Sequence, residues 1–181
     1  MSDQTTNSNP IGKWLWGPFS RTGFFWALIA FAIDQFHKWW LLNITGITTS
    51  DRIIVTSFFD IILVWNKGIS YGSFQQDSLA GSLLLAAGSF LGVVALAVWL
   101  ARAEQTRLTA IAIGLVMGGG LGNILDRLIR PGVADFFSLH AYGFQWFIFN
   151  VADIAIVAGV VALLYDALFI GPKTASKPSQ D

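Results

Sequence analysis

The chain has 181 residues, 54% of them hydrophobic and only 12% charged, about half the charged share of a soluble domain, and its mean hydropathy is +0.60. Eleven basic residues balance eleven acidic ones, which leaves no broad basic surface for nucleic acid, and the lack of cysteine excludes disulfides, a thiolate nucleophile and a zinc–thiolate site. The composition is that of a one-domain integral membrane protein, with eight Trp and 15 Phe suited to interfacial belts and lipid-facing surfaces.

Residues 1–21 are polar and then rich in Trp, Gly and Pro. They read as a cytoplasmic N-terminal segment rather than a signal peptide, because the apolar stretch starts late and no small-residue cleavage site follows it. The first membrane span is expected at 22–44 and contains Asp34 and Lys38. Region 45–77 has a β-branched and aromatic core over 52–65, interrupted by charge and too short to span; it predicts one or two strands at the membrane surface. The second span, 78–101, has no charged residue. The connection 102–107 is short enough for a tight helical hairpin. The third span, 108–125, runs into Asp126 and Arg127. The connection 129–146 holds Pro131, Gly132, Asp135, His140 and Gly143 and reads as a loop. The fourth span, 147–170, carries Asp153 near its start and Asp166 near its end, and residues 171–181 form a polar cytoplasmic tail.

Backbone groups in lipid must bond within their own segment, so the spans are expected to be helices. The expected fold is an all-α membrane protein of four transmembrane helices, residues 22–170, with a small extracytoplasmic β region at 45–77. Gly88-xxx-Gly92, Gly114-xxx-Gly118 and Gly118-xxx-Gly122 place small residues one turn apart, a spacing that permits close helix packing. Lys13, Arg21, Arg102, Arg107, Lys173 and Lys177 lie on the face of the termini, against Arg52, Lys67 and Arg130 on the other. The positive-inside rule therefore puts both termini in the cytoplasm.

Charged groups inside membrane segments are costly and mark functional sites. At about 1.5 Å per residue, Asp34 lies about 18 Å and Lys38 about 24 Å into the first span, and Asp126 about 27 Å along the third. Asp153 is in the first two turns of the fourth span, so these groups share a depth near the outer face. Asp34 and Lys38 are i, i+4 and are placed to pair. Asn123 and Asp126 are i, i+3, as are Asn150 and Asp153. Arg127 is expected to neutralise Asp126 or Asp34, or to snorkel to the surface. Asp135 and Asp153, delivered from two segments, supply the two carboxylates of an acid–base hydrolase. Taken singly, Asp135 also reads as an exposed loop aspartate or helix cap, and Asp153 as a first-turn aspartate favoured by the helix dipole. His37 and His140 have no metal-ligand spacing and no metal is expected. Gly118–Asn123 lacks the Lys-Ser/Thr of a phosphate loop, and Asn43-Ile44-Thr45 is too short a signal to count as a glycosylation site.

Five strings in order, Asp34-Gln-Phe-His-Lys38, Asn66-Lys-Gly-Ile-Ser-Tyr-Gly72, Gly119-Gly-Leu-Gly-Asn-Ile-Leu-Asp-Arg127, Val133-Ala-Asp-Phe136 and Phe149-Asn-Val-Ala-Asp153, together resemble the lipoprotein signal peptidases, the type II signal peptidases of bacteria. The resemblance covers about residues 22–170. It implies an aspartyl endopeptidase of the cytoplasmic (inner) membrane that needs no cofactor. Such an enzyme removes the signal peptide from prolipoproteins, cutting before a diacylglyceryl-modified cysteine. Carried over by position, Asp135 and Asp153 match the catalytic pair. Asn66, Asn123, Arg127 and Asn150 match polar residues lining the substrate site, with Gly68 in the asparagine motif, and Asp34, Lys38 and Asp126 match supporting charges. The family's small β cradle fits the region after the first span. The implied partners are the lipidated prolipoprotein and membrane lipids, and a monomer suffices because one chain holds both aspartates. The chain departs from the pattern at Ile69 and Tyr71, and it lacks a proline before Phe149.

Two rival readings remain on residue types alone. One is an ion- or proton-coupled transporter using Asp34, Lys38, Asp126 and Asp153 as a relay, although no internal repeat is visible and the polar groups sit toward one face. The other is an assembly factor that makes contacts through Gly-rich helices.

Overall fold

Interior helices of a membrane protein approach closely only where side chains are small, and the third helix of this chain is built on that rule. The computed structural model describes residues 16–68, 78–102 and 106–170. The expected tail, 171–181, lies outside the described residues, as do most of segment 1–21 and the departures at Ile69 and Tyr71. Helix α1 spans Ser20–Trp39 and continues as a π-helical turn, Trp40–Thr45. Strands β1 (Arg52–Ile54) and β2 (Phe59–Asn66) follow, then α2 (Leu79–Arg102) and α3 (Arg107–Ile129). Strands β3 (Val133–Ala141) and β4 (Phe144–Phe149) precede α4 (Val151–Tyr165), which ends in a π-helical turn, Asp166–Ile170.

Three segments are long and apolar enough to cross a membrane: Leu79–Arg102, Arg107–Ile129 and Val151–Ile170. Helix α1 is not among them; Asp34, Gln35, His37 and Lys38 crowd polar groups into its last turns. Of the three apolar segments, α3 is 56% buried against 17% and 11% for the others, so it is the central helix. It packs on α1, α2 and α4. A side chain at Gly114 or Gly118 would run into the α1 backbone at Gly23 or Ala27. On the α4 side, a Cβ at Gly119 would come within 2.5 Å of the Ala152 carbonyl oxygen, and one at Gly159 within 2.6 Å of that of Ala112. Gly88 and Gly92 differ: a Cβ on either meets nothing within 4 Å, so that repeat holds no contact. Thr106 caps α3, its hydroxyl accepting from the Thr109 N–H at 3.0 Å. The Thr106 and Thr109 hydroxyls donate to buried Asp166 at 2.8 and 2.6 Å, which ties the start of α3 to the end of α4.

The sheet is larger than the sequence predicts. Four antiparallel strands run in the order β1-β2-β3-β4, so the connection at 129–146 is a hairpin rather than a loop. Tyr142 and Gly143 both have positive φ, 53° and 79°, the tight-turn geometry whose twist matches two antiparallel strands. Aromatic side chains fill both arms; Phe137 lies against Phe59 and Phe149 at centroid distances of 5.8 and 5.5 Å. The fourth helix consequently starts at Val151, not at 147, because Phe147 and Phe149 pair with Leu139 and Phe137. Leu41, Ile47, Leu63, Ala134 and Phe136 form a core between the end of α1 and the sheet. Asn43 and Thr45 of the discounted sequon bond back to Trp39 and Leu41 carbonyls at 2.9 and 2.6 Å, closing the π-helical turn.

If close approach through α3 holds the helices, Gly118→Ala costs about 1–3 kcal/mol of overpacking, read as a lower thermal midpoint in detergent, whereas Gly88→Ala leaves the midpoint unchanged or slightly raised.

Candidate active site

Each candidate aspartate follows the same two residues, Val133-Ala134 before Asp135 and Val151-Ala152 before Asp153. The fold places the first at the start of β3, just after α3, and the second in the first turn of α4. Asp135 is a buried strand residue, which removes its reading as an exposed loop aspartate or helix cap. Asp153 keeps its plainer role and adds to it. It forms a capping box with Asn150: the Asn150 side chain accepts from the Asp153 N–H at 3.0 Å, and Asp153 Oδ2 accepts from the Asn150 N–H at 3.1 Å.

Four asparagine and glycine positions knit the two carboxylates together. Asn150 Nδ2 donates to Asp135 Oδ1 at 2.6 Å, so one residue touches both aspartates. Asn66 Nδ2 donates to Asp135 Oδ2 at 3.0 Å, while Asn66 Oδ1 accepts from the Gly68 N–H at 2.9 Å. Asn123 Nδ2 donates to Asp153 Oδ1 at 3.0 Å, and Asn123 Oδ1 accepts from Asn150 Nδ2 at 3.2 Å and Lys38 Nζ at 3.2 Å. Arg127, expected to neutralise Asp126 or Asp34 or to snorkel, sends its hydrogen bonds to backbone. Its guanidinium donates to the Gly68 carbonyl at 2.8 Å and the Asn123 carbonyl at 3.1 Å, where it also feels the charges of Asp135, Asp126 and Asp153. A guanidinium spends its rigid fork well on two carbonyls that face it.

Behind this layer, Lys38 Nζ sits between Asp34 Oδ2 at 2.9 Å and Asp126 Oδ2 at 2.8 Å, all three side chains fully buried. Both carboxylates also reach the active layer, Asp34 through its other oxygen and Asp126 through the same one. Asp34 Oδ1 accepts from the Ala152 N–H at 2.9 Å, and Asp126 Oδ2 accepts from the Ala134 N–H at 3.0 Å. Each supporting carboxylate therefore holds the amide one residue before a candidate catalytic aspartate. Gly122 lets this happen, because a Cβ there would collide with the Asp34 carboxylate. Sequence reasoning missed Gln35 and Arg130. Gln35 Nε2 donates to Asp34, Gly122 and Asp126, and Arg130 forms an ion pair with Asp126. The i, i+4 spacing of Asp126 and Arg130 was the available signal.

His37 packs against Phe136 and Phe137 at centroid distances of 5.7 and 5.1 Å, apart from the carboxylates. His140 lies 2.8 Å from Asp60, which Arg52 also holds, at the far end of the sheet. Among the described residues no group of His, Cys, Asp and Glu is arranged to hold a metal ion. Burial, with the Asp153 carboxylate next, pushes Asp135 from the usual carboxylate range up to about 7, against the opposing pull of the Asn66 and Asn150 amides and Lys38.

A raised carboxyl favours the folded state below its unfolded value of 3.8, and that advantage is lost as pH rises toward about 7. The expected result is that Asp135→Asn, which stays neutral, gains thermal stability relative to wild type between those limits, with a constant difference above them; thermal unfolding in detergent across pH checks it.

The family model for signal peptidase (SPase) II matches residues 26–169. The chain is 46% identical over 156 residues to a lipoprotein signal peptidase of Rhodopseudomonas palustris strain TIE-1, covering 84% of this chain and 94% of that one. A lipoprotein signal peptidase of Nitrobacter hamburgensis is likewise 46% identical over 156 residues, with the same coverage. In architecture the chain is similar to a bacterial membrane enzyme solved by the in meso method at 2.3 Å, with a TM-score of 0.72 at 24% identity, covering 89% of this chain and 94% of that structure.

Proposed function

The chain belongs to the signal peptidase II family, and from that premise we propose that it is an intramembrane aspartyl endopeptidase that removes the signal peptide from diacylglyceryl-modified prolipoproteins. The cut falls before the lipidated cysteine. The observation that carries the reading is Asn150, whose backbone N–H and side-chain amide hold Asp153 and Asp135 respectively. The family sets aside the transporter and assembly-factor readings.

Two carboxylates in one site share a proton, and the dyad titrates as a unit. The ionised member takes a proton from a water, whose oxygen attacks the scissile carbonyl carbon. The protonated member donates to the carbonyl oxygen, giving a neutral tetrahedral intermediate. Collapse re-forms the carbonyl and breaks the C–N bond, with a proton passing to the leaving nitrogen. The products are the signal peptide's new carboxylate and the free amine of the lipidated cysteine. Asn66, Asn123, Asn150 and Arg127 would orient the peptide through its backbone, with Gly68 holding Asn66 and Arg127 through its own N–H and carbonyl. Asp34, Lys38 and Asp126 support the dyad from behind. No metal or cofactor takes part.

In this reading α1 and its π-helical extension form a fourth span. Both termini are cytoplasmic, the site lies near the extracytoplasmic face of the inner membrane, and the sheet is a cradle over it. The peptidase domain is 22–170, between a cytoplasmic segment 1–21 and tail 171–181. One chain holds both aspartates, so a monomer suffices for the chemistry. An apolar cleft of about 510 Å³ between α1, α2 and α3, lined by Phe24, Leu28, Phe31, Phe90, Leu121 and Leu125 among others, offers room for substrate acyl chain beside the bilayer.

Purified enzyme with a diacylglyceryl-modified prolipoprotein tests the reading. Asp135→Asn and Asp153→Asn each abolish cleavage while the protein still inserts and folds; turnover in either removes the dyad. EDTA leaves the rate unchanged, and an inhibition reversed by added metal would point to a metalloenzyme. A substrate without the diacylglyceryl group is cut poorly, and equal rates would contradict a lipid-reading site.

A further inference from the structure

Asp126 is fully buried, and its two oxygens do different work. Oδ2 takes the Lys38 ammonium at 2.8 Å and the Ala134 N–H at 3.0 Å. Oδ1 faces the other way and takes Gln35 Nε2 at 3.3 Å and Arg130 Nη1. The charges explain why Oδ1 is held. Asp34 and Asp126 bring two negative charges to one buried ammonium, and an uncompensated buried charge costs several kcal/mol. Arg130 supplies the fourth charge and brings the cluster to zero. Its side chain is 16% exposed, so the compensation sits at the rim of a closed site.

The backbone delivers Arg130 to that place. It is the C-cap of α3, its N–H donating to the Asp126 carbonyl at 2.8 Å, one turn from the carboxylate it pairs with. Pro131 then prevents the helix from continuing, and β3 begins two residues later with the segment that carries Asp135. Gln35 joins the two halves. Its Oε1 accepts from Arg130 Nη1 at 3.3 Å, and its Nε2 also reaches Asp34 Oδ2 at 3.0 Å and the Gly122 carbonyl at 3.2 Å. Neither residue touches Asp135, but both fix the orientation of the carboxylate that holds the amide preceding it.

We propose that Arg130, with Gln35 as its link to α1, is a positioning residue for the peptidase reaction: it holds Asp126 Oδ1 so that Oδ2 anchors the Ala134 N–H and thereby sets Asp135. The inference rests on the reading of Asp135 as catalytic. It concerns the rate of the chemical step, since the contacts of Arg130 are with Gln35 and Asp126 behind the dyad, and a displacement of about 1 Å at a catalytic group is worth up to about a hundredfold in rate.

The test compares wild type, Asp135→Asn, Arg130→Gln and Arg130→Lys on a diacylglyceryl-modified prolipoprotein, together with hydrogen–deuterium exchange of the intact enzyme. Arg130→Gln is expected to lower kcat about tenfold or more with KM unchanged, and to speed exchange in peptides covering 133–135 while α1 and α3 stay protected. Arg130→Lys, which keeps the charge, recovers most of kcat. Wild-type kcat in Arg130→Gln overturns the proposal. So does a loss that Arg130→Lys does not recover, or one accompanied by loss of protection throughout the helices. An inactive wild type or an active Asp135→Asn would strike the dyad reading itself, and the same plate of assays separates the two failures.

Discussion

A single ammonium group organises the interior of this protein. Lys38 Nζ lies between two buried carboxylates, Asp34 and Asp126, on α1 and α3. None of these charges is tolerable alone away from water, where the effective penalty is several kcal/mol for each ion. Their mutual attraction, with backbone amides and Arg130 satisfying the remaining lone pairs, makes the cluster admissible. The arrangement is costly to lose and geometrically demanding, so it fixes how far α1 stands from α3 and where the two Val-Ala-Asp strings begin.

The repetition of Val-Ala-Asp then acquires a physical meaning. At both copies the alanine is fully buried and its amide is claimed by one of the carboxylates on Lys38. A larger side chain at either alanine would have to displace packed neighbours, and Gly119 already lies against Ala152 with no space for a Cβ. Two aspartates on unrelated elements, a strand and a helix turn, are thereby held on one rigid frame. Asn150 and Asn123 close the frame from the opposite side, each joining Asp153 to a second partner in the site. Such preorganisation lets a site hold two carboxylates and one proton without rearranging as charge moves.

Much of the site was legible because its signals are local. Asp34 and Lys38 lie one turn apart, as do Asn150 and Asp153, and helical spacing alone brings such pairs together. The resemblance to a known family added Asn66 and Gly68, which local spacing could not connect to the aspartates, and gave Asn123, already spaced one turn from Asp126, a place at the substrate site. Arg127 feels the charge of Asp126, as the sequence led one to expect, but its hydrogen bonds go to the Gly68 and Asn123 carbonyls, one of them on a distant segment. Gln35 was hidden because its partners Gly122 and Asp126 lie on another helix, whereas Arg130 stands one turn from Asp126 and its spacing was legible. The β3–β4 hairpin was hidden as well. Its first arm carries Asp135 and His140, polar groups that resemble loop residues, and the burial of Asp135 depends on Asn66 in β2 and on Asn150, the cap of α4.

By itself, then, the amino-acid sequence determined that this is a membrane protein with apolar helices. It also determined that a few charges at one depth must be paired, and that α3 is rich enough in glycine to be approached closely. Those are properties of composition, periodicity and the cost of charge in a low-dielectric medium, and they need no partner segment to be evaluated. The tertiary structure alone decided which carboxylate holds which amide, that the sheet has four strands, and that Arg127 donates to the Gly68 carbonyl. Hydrogen bonds are short and directional, and the two anchored amides stand 8 and 118 residues from their carboxylates, so the choice among partners exists only once the helices and the sheet have come together.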